Sequence, residues 1–237
     1  MATKVKTSAP RNASPPCSAA NIVLVGDHYV EIDPEAALDV ARWRSSKRRE
    51  LLAARAGLSV ASRQDMAAAV VTHLKAALAR HCDERPDLCL SLYWPIKSEL
   101  DIRALAEPLH RRGIRLALPV VEEKDHPLAF YLWQPGDAMV RGYWNIPVPA
   151  RIVRVRPTHL LAPLVGWDRN GYRLGYGGGY FDRTLALFNH DFHAIGIGLR
   201  AAEVQTIFPQ PFDIPLHEII TEYGSEALSR PDPSPSP

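Results

Sequence analysis

Residues 166–183 read G-W-D-R-N-G-Y-R-L-G-Y-G-G-G-Y-F-D-R and hold six of the chain's 14 glycines. An apolar run at 160–165, L-L-A-P-L-V, leads in, and an amphipathic run at 180–188 leads out. That order predicts a strand, a glycine-rich loop and a helix. Glycine lets the backbone take positive φ and approach a ligand closely. A helix that starts where such a loop ends turns free N–H groups and partial positive charge toward it. Arg173 and Arg183 add cationic charge on either side. Asp182 is the exception, and a carboxylate beside a phosphate cradle suggests a Mg2+ ligand.

The loop fits neither common phosphate fingerprint. G-x-G-x-x-G would need glycine where Tyr180 stands, and no G-K-[ST] follows. A plain tight turn needs one or two glycines, not Gly175, Gly177, Gly178 and Gly179 between arginines. The stretch Trp167-Asp168, Gly171, then Arg173-Leu174-Gly175-Tyr176-Gly177-Gly178-Gly179-Tyr180-Phe181-Asp182 resembles the signature of the 5-formyltetrahydrofolate cyclo-ligase family, approximately F-D-x-x-G-x-R-L-G-x-G-x-G-Y-Y-D. Trp167 and Phe181 are mild aromatic departures from it. The resemblance implies ATP contacts from Arg173, Leu174, Gly175, Tyr176, Gly177, Gly178, Gly179, Tyr180 and Phe181. It further implies catalytic roles for Arg173 and Tyr180, folate contacts from Tyr176 and Tyr180, and a Mg2+ carboxylate at Asp182.

Upstream, Asp33-Pro34 is a good helix start, and a helix is predicted from there to Ala56 with Gly57 ending it. Arg44, Arg48 and Arg55 fall within roughly 40° of one another on that helix, with Leu51 among them. Spacing leaves two readings open. One is a half-packed face aimed into a cleft; the other is a solvated basic face, since Arg42, Lys47 and Arg49 spread charge around the helix. The family carries K/R-x-x-x-R in its first helix, contacting ATP phosphates, and Arg44 and Arg48 match that pattern. Arginine suits the task because its planar fork binds phosphate oxygens bidentately.

Ser59 can cap a second helix from Val60 to about Arg80, with Met66, Ala69, Val70 and Leu74 on its apolar side. Residues 88–94 are strand-like, and the loop at 95–99 follows that strand's carboxyl end, where open α/β sheets bind ligands. Glu99 alone reads as a surface acid. Family members place an aromatic or aliphatic residue and, five positions on, a Glu against folate, and Trp94 and Glu99 fit that spacing. A carboxylate can accept the paired N–H donors of a pteridine, and an indole offers a flat surface for the ring. A helix is expected over 102–112, kinked at Pro108, then strands over 114–121 and 128–133 and an exposed edge strand over 151–156. Gly142 to Pro147 resembles the family's segment before I-P-x-P; Tyr143 or Trp144 either closes over folate or is a core aromatic. Downstream, 194–199 reads as a buried strand, and 212–222 resembles the family's D-x-P-L-D-x-I-x-T-E. Asp213 matches a second Mg2+ carboxylate there, while His217 replaces a frequent Asp.

The chain has 237 residues, 46% hydrophobic and 23% charged, with net charge +2. That balance suits a globular protein and gives no argument for nucleic acid. Three cysteines without C-x-x-C point to a reducing, cytoplasmic setting, and the absence of a long apolar run argues against a membrane span. Residues 1–20 read as a disordered basic arm, 21–223 as one α/β domain and 224–237 as a disordered Ser/Pro-rich tail. The resemblance spans roughly 41–222 and implies a three-layer Rossmann-like sandwich, a central mostly parallel sheet flanked by helices. It implies a monomer that uses MgATP to cyclise 5-formyltetrahydrofolate to 5,10-methenyltetrahydrofolate, with ATP and reduced folate as its small-molecule partners. Three rivals stay open: a kinase or synthetase acting on another substrate, a silent folate-binding regulator, and an RNA binder using residues 42–55.

Overall fold

The computed structural model describes residues 22–25, 28–31, 33–84, 87–188 and 192–229. The arm expected at 1–20 lies outside them, as does the chain from 230 onward. The elements, in order, are β1 (Ile22–Val25), β2 (His28–Glu31), α1 (Pro34–Ala56), α2 (Val60–Glu84), β3 (Cys89–Ser91), α3 (Ala106–Arg111), β4 (Arg115–Val120), β5 (Ala129–Trp133), β6 (Met139–Arg141), β7 (Pro147–Pro149), β8 (His159–Pro163), β9 (Gly166–Trp167), β10 (Arg173–Leu174), α4 (Tyr180–Leu187), β11 (His193–Ile197), β12 (Glu218–Thr221) and β13 (Gly224–Ser225).

Seven strands form the central sheet in the order β13-β12-β11-β8-β3-β4-β5. The inner pairs β3–β4, β3–β8, β8–β11 and β11–β12 are parallel, and antiparallel pairs close both edges. Helices pack against it, α2 on β12 and β13 and α3 on β4. The expected α/β class with a mostly parallel sheet is what the chain forms. Its inner strands are short and apolar because both faces are covered, as parallel sheets require. Leu90, Leu116, Leu161, Ile195 and Ile219 are buried in them, and α2 adds Val70, Leu74 and Leu78 at helical spacing.

Local chemistry explains the helix starts. The Asp33 carboxylate accepts the N–H groups of Glu35 and Ala36 at 2.9 and 3.3 Å, and Ser59 Oγ accepts the Ser62 N–H at 3.0 Å. Three expectations need correction. The helix expected over 102–112 is a 3-10 turn at Arg103–Leu105 followed by α3; Pro108 falls in the first turn of α3, where proline is tolerated, and kinks nothing. Residues 151–156 form no strand: Arg154 makes one bridge to Tyr131 while Val153 and Val155 bond the free edge of β5. The tail does not begin at 224. β13 pairs with β12, Glu226 accepts from Thr221 and Arg200, and Leu228 packs on the core. An apolar and an acidic anchor thus hold the chain through Ser229.

Candidate active site

The sheet has a topological switch point at β3, whose next strand in sequence, β4, lies on one side while β8 lies on the other. Ligand clefts open at the carboxyl ends of strands at such points. A cleft of about 800 Å³ opens there, with Tyr93 and Trp94 just after β3, Pro119 in β4 and Pro163 at the end of β8. That volume suits a small-molecule site. One half is aromatic and apolar; the other is the glycine loop with arginines and two aspartates.

The loop is more elaborate than a strand running into a turn. After β8, the chain makes a small antiparallel hairpin, β9 with β10, before the glycines. Asp168 anchors it from a fully buried position: Oδ1 accepts the N–H groups of Asn170 and Tyr172, and Oδ2 that of Ile207. Gly177 has φ +96° and Gly179 φ +65°, a region side chains rarely adopt. Gly179 is the left-handed residue that opens α4, so the first N–H groups of that helix face the loop. Arg48 Nε donates to the Gly175 carbonyl at 2.9 Å, and its guanidinium lies beside Gly177, where a Cβ would sit 3.5 Å from Cζ.

The arginine stripe of α1 faces inward, so the solvated-face reading fails. Arg44 and Arg55 are buried, Arg48 is half-buried, and Arg42 and Arg49 are exposed. Their roles differ. Arg44 grips the chain around 207–213: Nε donates to Ile207 O, Nη2 to Phe208 O, and the fork pairs with Asp213. Arg55 donates to Leu164 O, Lys97 O and the Tyr176 hydroxyl, the last at 2.6 Å. Arg48 uses only Nε, so among the described residues its two terminal nitrogens have no acceptor. Burial and the neighbouring Arg44 pull its pKa below the ordinary arginine value, partly offset by Asp213. Arg48 is therefore the member of the stripe best placed to take an anion, whereas Arg44 keeps one N–H free.

Asp182 and Asp213 both line the cleft although they stand 31 positions apart in sequence. Arg173 Nη2 donates to Asp182 Oδ1 at 2.7 Å and Nη1 to Ile214 O at 2.8 Å. Burial pushes the Asp182 carboxyl up, against the pull of Arg173, and Asp213 pushes it up further. A carboxylate offers about four lone-pair sites. Asp213 spends three, on two Arg44 bonds and the Gln210 N–H. Asp182 spends two, both on Oδ1, and among the described residues its Oδ2 has no donor. Hard oxygens at this density suit Mg2+, with Asp182 the better donor.

Glu99 is no surface acid. It is 9% exposed, and its Oε2 accepts the Ile96 N–H at 2.8 Å. The two residues before it, Lys97 (φ +44°) and Ser98 (φ +65°), both adopt left-handed backbone without being glycine. Such strain persists where the surroundings hold a side chain in one place. Burial raises the Glu99 pKa to about 7 despite the opposing Ile96 N–H, Arg55, Tyr176 hydroxyl and Lys97. Burial, then Glu99, raises Tyr176 to about 12. Trp94 meets Trp133 edge to face, and Arg103 covers it at 4.7 Å. Tyr143 and Trp144 are exposed in the cleft, not core; Trp144 stands edge-on to Tyr180 at 5.4 Å, and its φ of +52° turns it there. The Tyr180 hydroxyl accepts the Asp125 N–H at 3.3 Å.

Of the residues expected to contact ATP, folate or Mg2+, all but Leu174 line this cleft. Leu174 is buried with Val165 and Ile207, because strand alternation turns it inward when Arg173 faces the cleft. His217 is elsewhere: its Nδ1 accepts the Ala194 N–H at the amino end of β11. Residues 40–222 match the 5-formyltetrahydrofolate cyclo-ligase family. The chain belongs to that family. Among cyclo-ligase relatives, the enzyme of Haemophilus influenzae is 28% identical over 184 residues, covering 75% of this chain and 96% of its own. The 5-formyltetrahydrofolate cyclo-ligase of Escherichia coli K12 is 34% identical over 143 residues, covering 56% and 76%. The 5,10-methenyltetrahydrofolate synthetase of Aquifex aeolicus superposes with TM-score 0.65 at 26% identity, over 79% of this chain and 94% of that one. That of Mycoplasma pneumoniae gives TM-score 0.61 at 25% identity, over 76% and 98%. Behind the lining of this cyclo-ligase cleft, sequence reading passed over Arg55, which holds Tyr176, and missed the strained Lys97-Ser98 pair beside Glu99. Arg55 carried a signal in its spacing from Arg44; the pair carried none.

Proposed function

We propose that the chain catalyses the ATP- and Mg2+-dependent cyclisation of 5-formyltetrahydrofolate to 5,10-methenyltetrahydrofolate, with release of ADP and phosphate. The observation that carries this reading is one cleft that joins an anion-binding loop with a free arginine fork to a buried carboxylate among aromatic rings. The same reading has it work as a cytoplasmic monomer on small molecules.

The chemistry asks for this pairing. A formyl amide is a poor electrophile, and its oxygen is a poor leaving group. Attack of that oxygen on the γ-phosphorus forms an O–P bond and releases ADP. N10 then attacks the activated carbon, the C–O bond breaks, phosphate departs and takes up the N10 proton. The protein must hold the two substrates in line and neutralise charge that spreads over the transferring phosphoryl group. Arg48 and the loop N–H groups supply fixed positive character there, while Arg173, paired with Asp182, holds that carboxylate in place. Tyr180, whose hydroxyl accepts from Asp125, keeps its own proton to donate toward the reacting oxygens. Glu99 takes the pterin N–H groups, and Trp94, Tyr176 and Trp144 wall the ring. Asp182, with the remaining lone pair of Asp213, would hold Mg2+, which when bound neutralises phosphate charge. An absorbance assay for methenyl-folate tests the proposal. Formation is expected only with ATP and Mg2+ together; equal conversion without nucleotide, or folate binding with no turnover, overturns it.

A further inference from the structure

The opposite end of the sheet carries a second cluster that the cyclo-ligase chemistry does not use. β8 begins at His159, β11 at His193 and β12 at Glu218, so these residues sit at the amino ends of parallel strands, away from the cleft. His193 pairs in register with His159, and Glu218 with Ile195, two residues beyond His193. Strand alternation therefore puts all three side chains on one face. His81, near the carboxyl end of α2, comes down on that face. The ring centroids of His81 and His193 are 4.5 Å apart.

We infer that His81, His193 and Glu218 form a binding site for a divalent transition-metal ion of the Zn2+ type. Nε2 of His81 lies 3.9 Å and Nε2 of His193 3.8 Å from Glu218 Oε2, and the three ligand atoms all fall within 4.8 Å of one another. Tetrahedral Zn2+ with bonds of about 2.0–2.1 Å needs ligand atoms about 3.3 Å apart. Two pairs must close by about 0.5 Å and the third by at most about 1.5 Å, within the reach of χ adjustments. Among the described residues, Nε2 of His193 is buried with no acceptor nearer than Glu218 Oε2 at 3.8 Å, too far for a hydrogen bond, a cost that a metal ion would remove. The three side chains keep 13–28% of their surface exposed, so an ion can reach them and a water can take a fourth position. Surrounding groups orient the ligands. His217 tilts against the His193 ring at 5.0 Å with its own Nδ1 fixed by the Ala194 N–H, and Arg80 stands 3.9 Å from the other oxygen of Glu218. Imidazole nitrogens with one carboxylate favour Zn2+, Ni2+ or Co2+ over Mg2+. A metal here clamps α2 to β11 and β12 and leaves the cleft untouched.

The test uses the full chain, freed of any affinity tag and stripped with a chelator. Calorimetric titration with Zn2+ should show one site of micromolar or tighter Kd. Co2+ should give the intense visible absorption of a tetrahedral N/O site in the unmutated protein. At a hundredfold excess of Zn2+ over Kd, the melting temperature should rise by about 5–10 °C. His193→Gln and Glu218→Gln should each weaken Zn2+ by more than the tenfold to hundredfold of an outer-shell change. Asp182→Asn should leave Zn2+ binding intact. Absence of saturable Zn2+ binding and of the Co2+ spectrum in the unmutated protein would sink the inference. So would Zn2+ binding that survives His193→Gln and disappears in Asp182→Asn, since that ion would sit in the cleft.

Discussion

Glu99→Gln should stabilise the ligand-free protein while weakening its folate binding. In the folded chain the Glu99 carboxyl titrates at about 7 instead of 4.5. Burial causes the shift, because the carboxylate loses water that four opposing neighbours do not fully replace. A folded pKa raised on an acid means that between pH 4.5 and 7 the folded state binds more protons than the unfolded one. Stability therefore falls as pH rises through that window. The gap of about 2.5 units corresponds to about 3 kcal/mol once both states are ionised, and to about 2 kcal/mol at pH 6. Glutamine has nearly the same shape, can still accept the Ile96 N–H and never ionises. Urea unfolding of both proteins from pH 4 to pH 8 should show equal stability at the acid end and an advantage for the variant growing to about 3 kcal/mol at the basic end. The corresponding melting shift is about 6–12 °C. Calorimetry on the same pair should show folate affinity lower by about 10- to 150-fold in the variant, the worth of one charge-assisted hydrogen bond. A stability difference that stays flat with pH would refute the reasoning, for it would mean that Glu99 titrates normally in the fold. Unchanged folate affinity would leave Glu99 a buried acid without a ligand.

The other expectations concern the charged half of the cleft. Arg48→Ala should cost about 1.5–3 kcal/mol in kcat/KM for ATP, while Arg49→Ala, exposed on the next helix step, should cost under about 0.5 kcal/mol; equal losses would point to diffuse charge. In Mg2+ titrations of turnover, Asp182→Asn should raise the requirement more than Asp213→Asn, because Asp182 keeps Oδ2 free while Arg44 holds both oxygens of Asp213; the reverse order would move the ion onto Asp213. Asp168→Asn should lower stability by about 2–4 kcal/mol in urea unfolding with the Mg2+ requirement unchanged, since an amide nitrogen would face N–H donors in a fully buried turn; a shifted Mg2+ requirement would give Asp168 a place at the metal.

What the sequence made legible was what local spacing dictates. The glycines among 175–179 allow a positive-φ turn, which Gly177 and Gly179 adopt, and helical arithmetic alone puts Arg44, Arg48 and Arg55 on one face. What it hid depends on partners distant in the chain. Arg44 meets Asp213 across 169 positions, and Arg55 meets Tyr176 across 121, so no window could show that two of the three arginines are spent on the protein itself. Lys97 and Ser98 take left-handed backbone without glycine or asparagine to announce it. The hairpin β9–β10 pairs only two residues on each side, too few to set an alternation. The histidines at 81, 159, 193 and 217 share no sequence motif; sheet register and the packing of α2 on the sheet gather them.

The distribution of charge in the cleft also says why the loop suits a polyanion. Arg44, Arg48, Arg173 and Arg183 line it against Glu99, Asp182 and Asp213. Arg44 with Asp213 is a buried ion pair and Arg173 with Asp182 a part-buried one; both hold the walls in place and contribute little free field. Arg183 is turned back onto the Gly178 carbonyl at 2.7 Å. Burial lifts Glu99 to about 7, which weakens its negative charge near neutral pH. The residual positive charge is thus concentrated at the Arg48 fork, beside Gly177, and at the N–H groups at the start of α4, after Gly179. An anion that bridges them satisfies donors that the protein leaves open, and it arrives at a backbone already fixed by the two ion pairs. Preorganisation of this kind lets a site hold phosphate oxygens tightly without reorganising during transfer. It also assigns the paired arginines a positioning duty: removing Arg44 should release the chain around 207–213 with Asp213, and removing Arg173 should release Asp182 and the chain at Ile214, whereas removing Arg48 should lose the anion together with a single bond to the loop at Gly175.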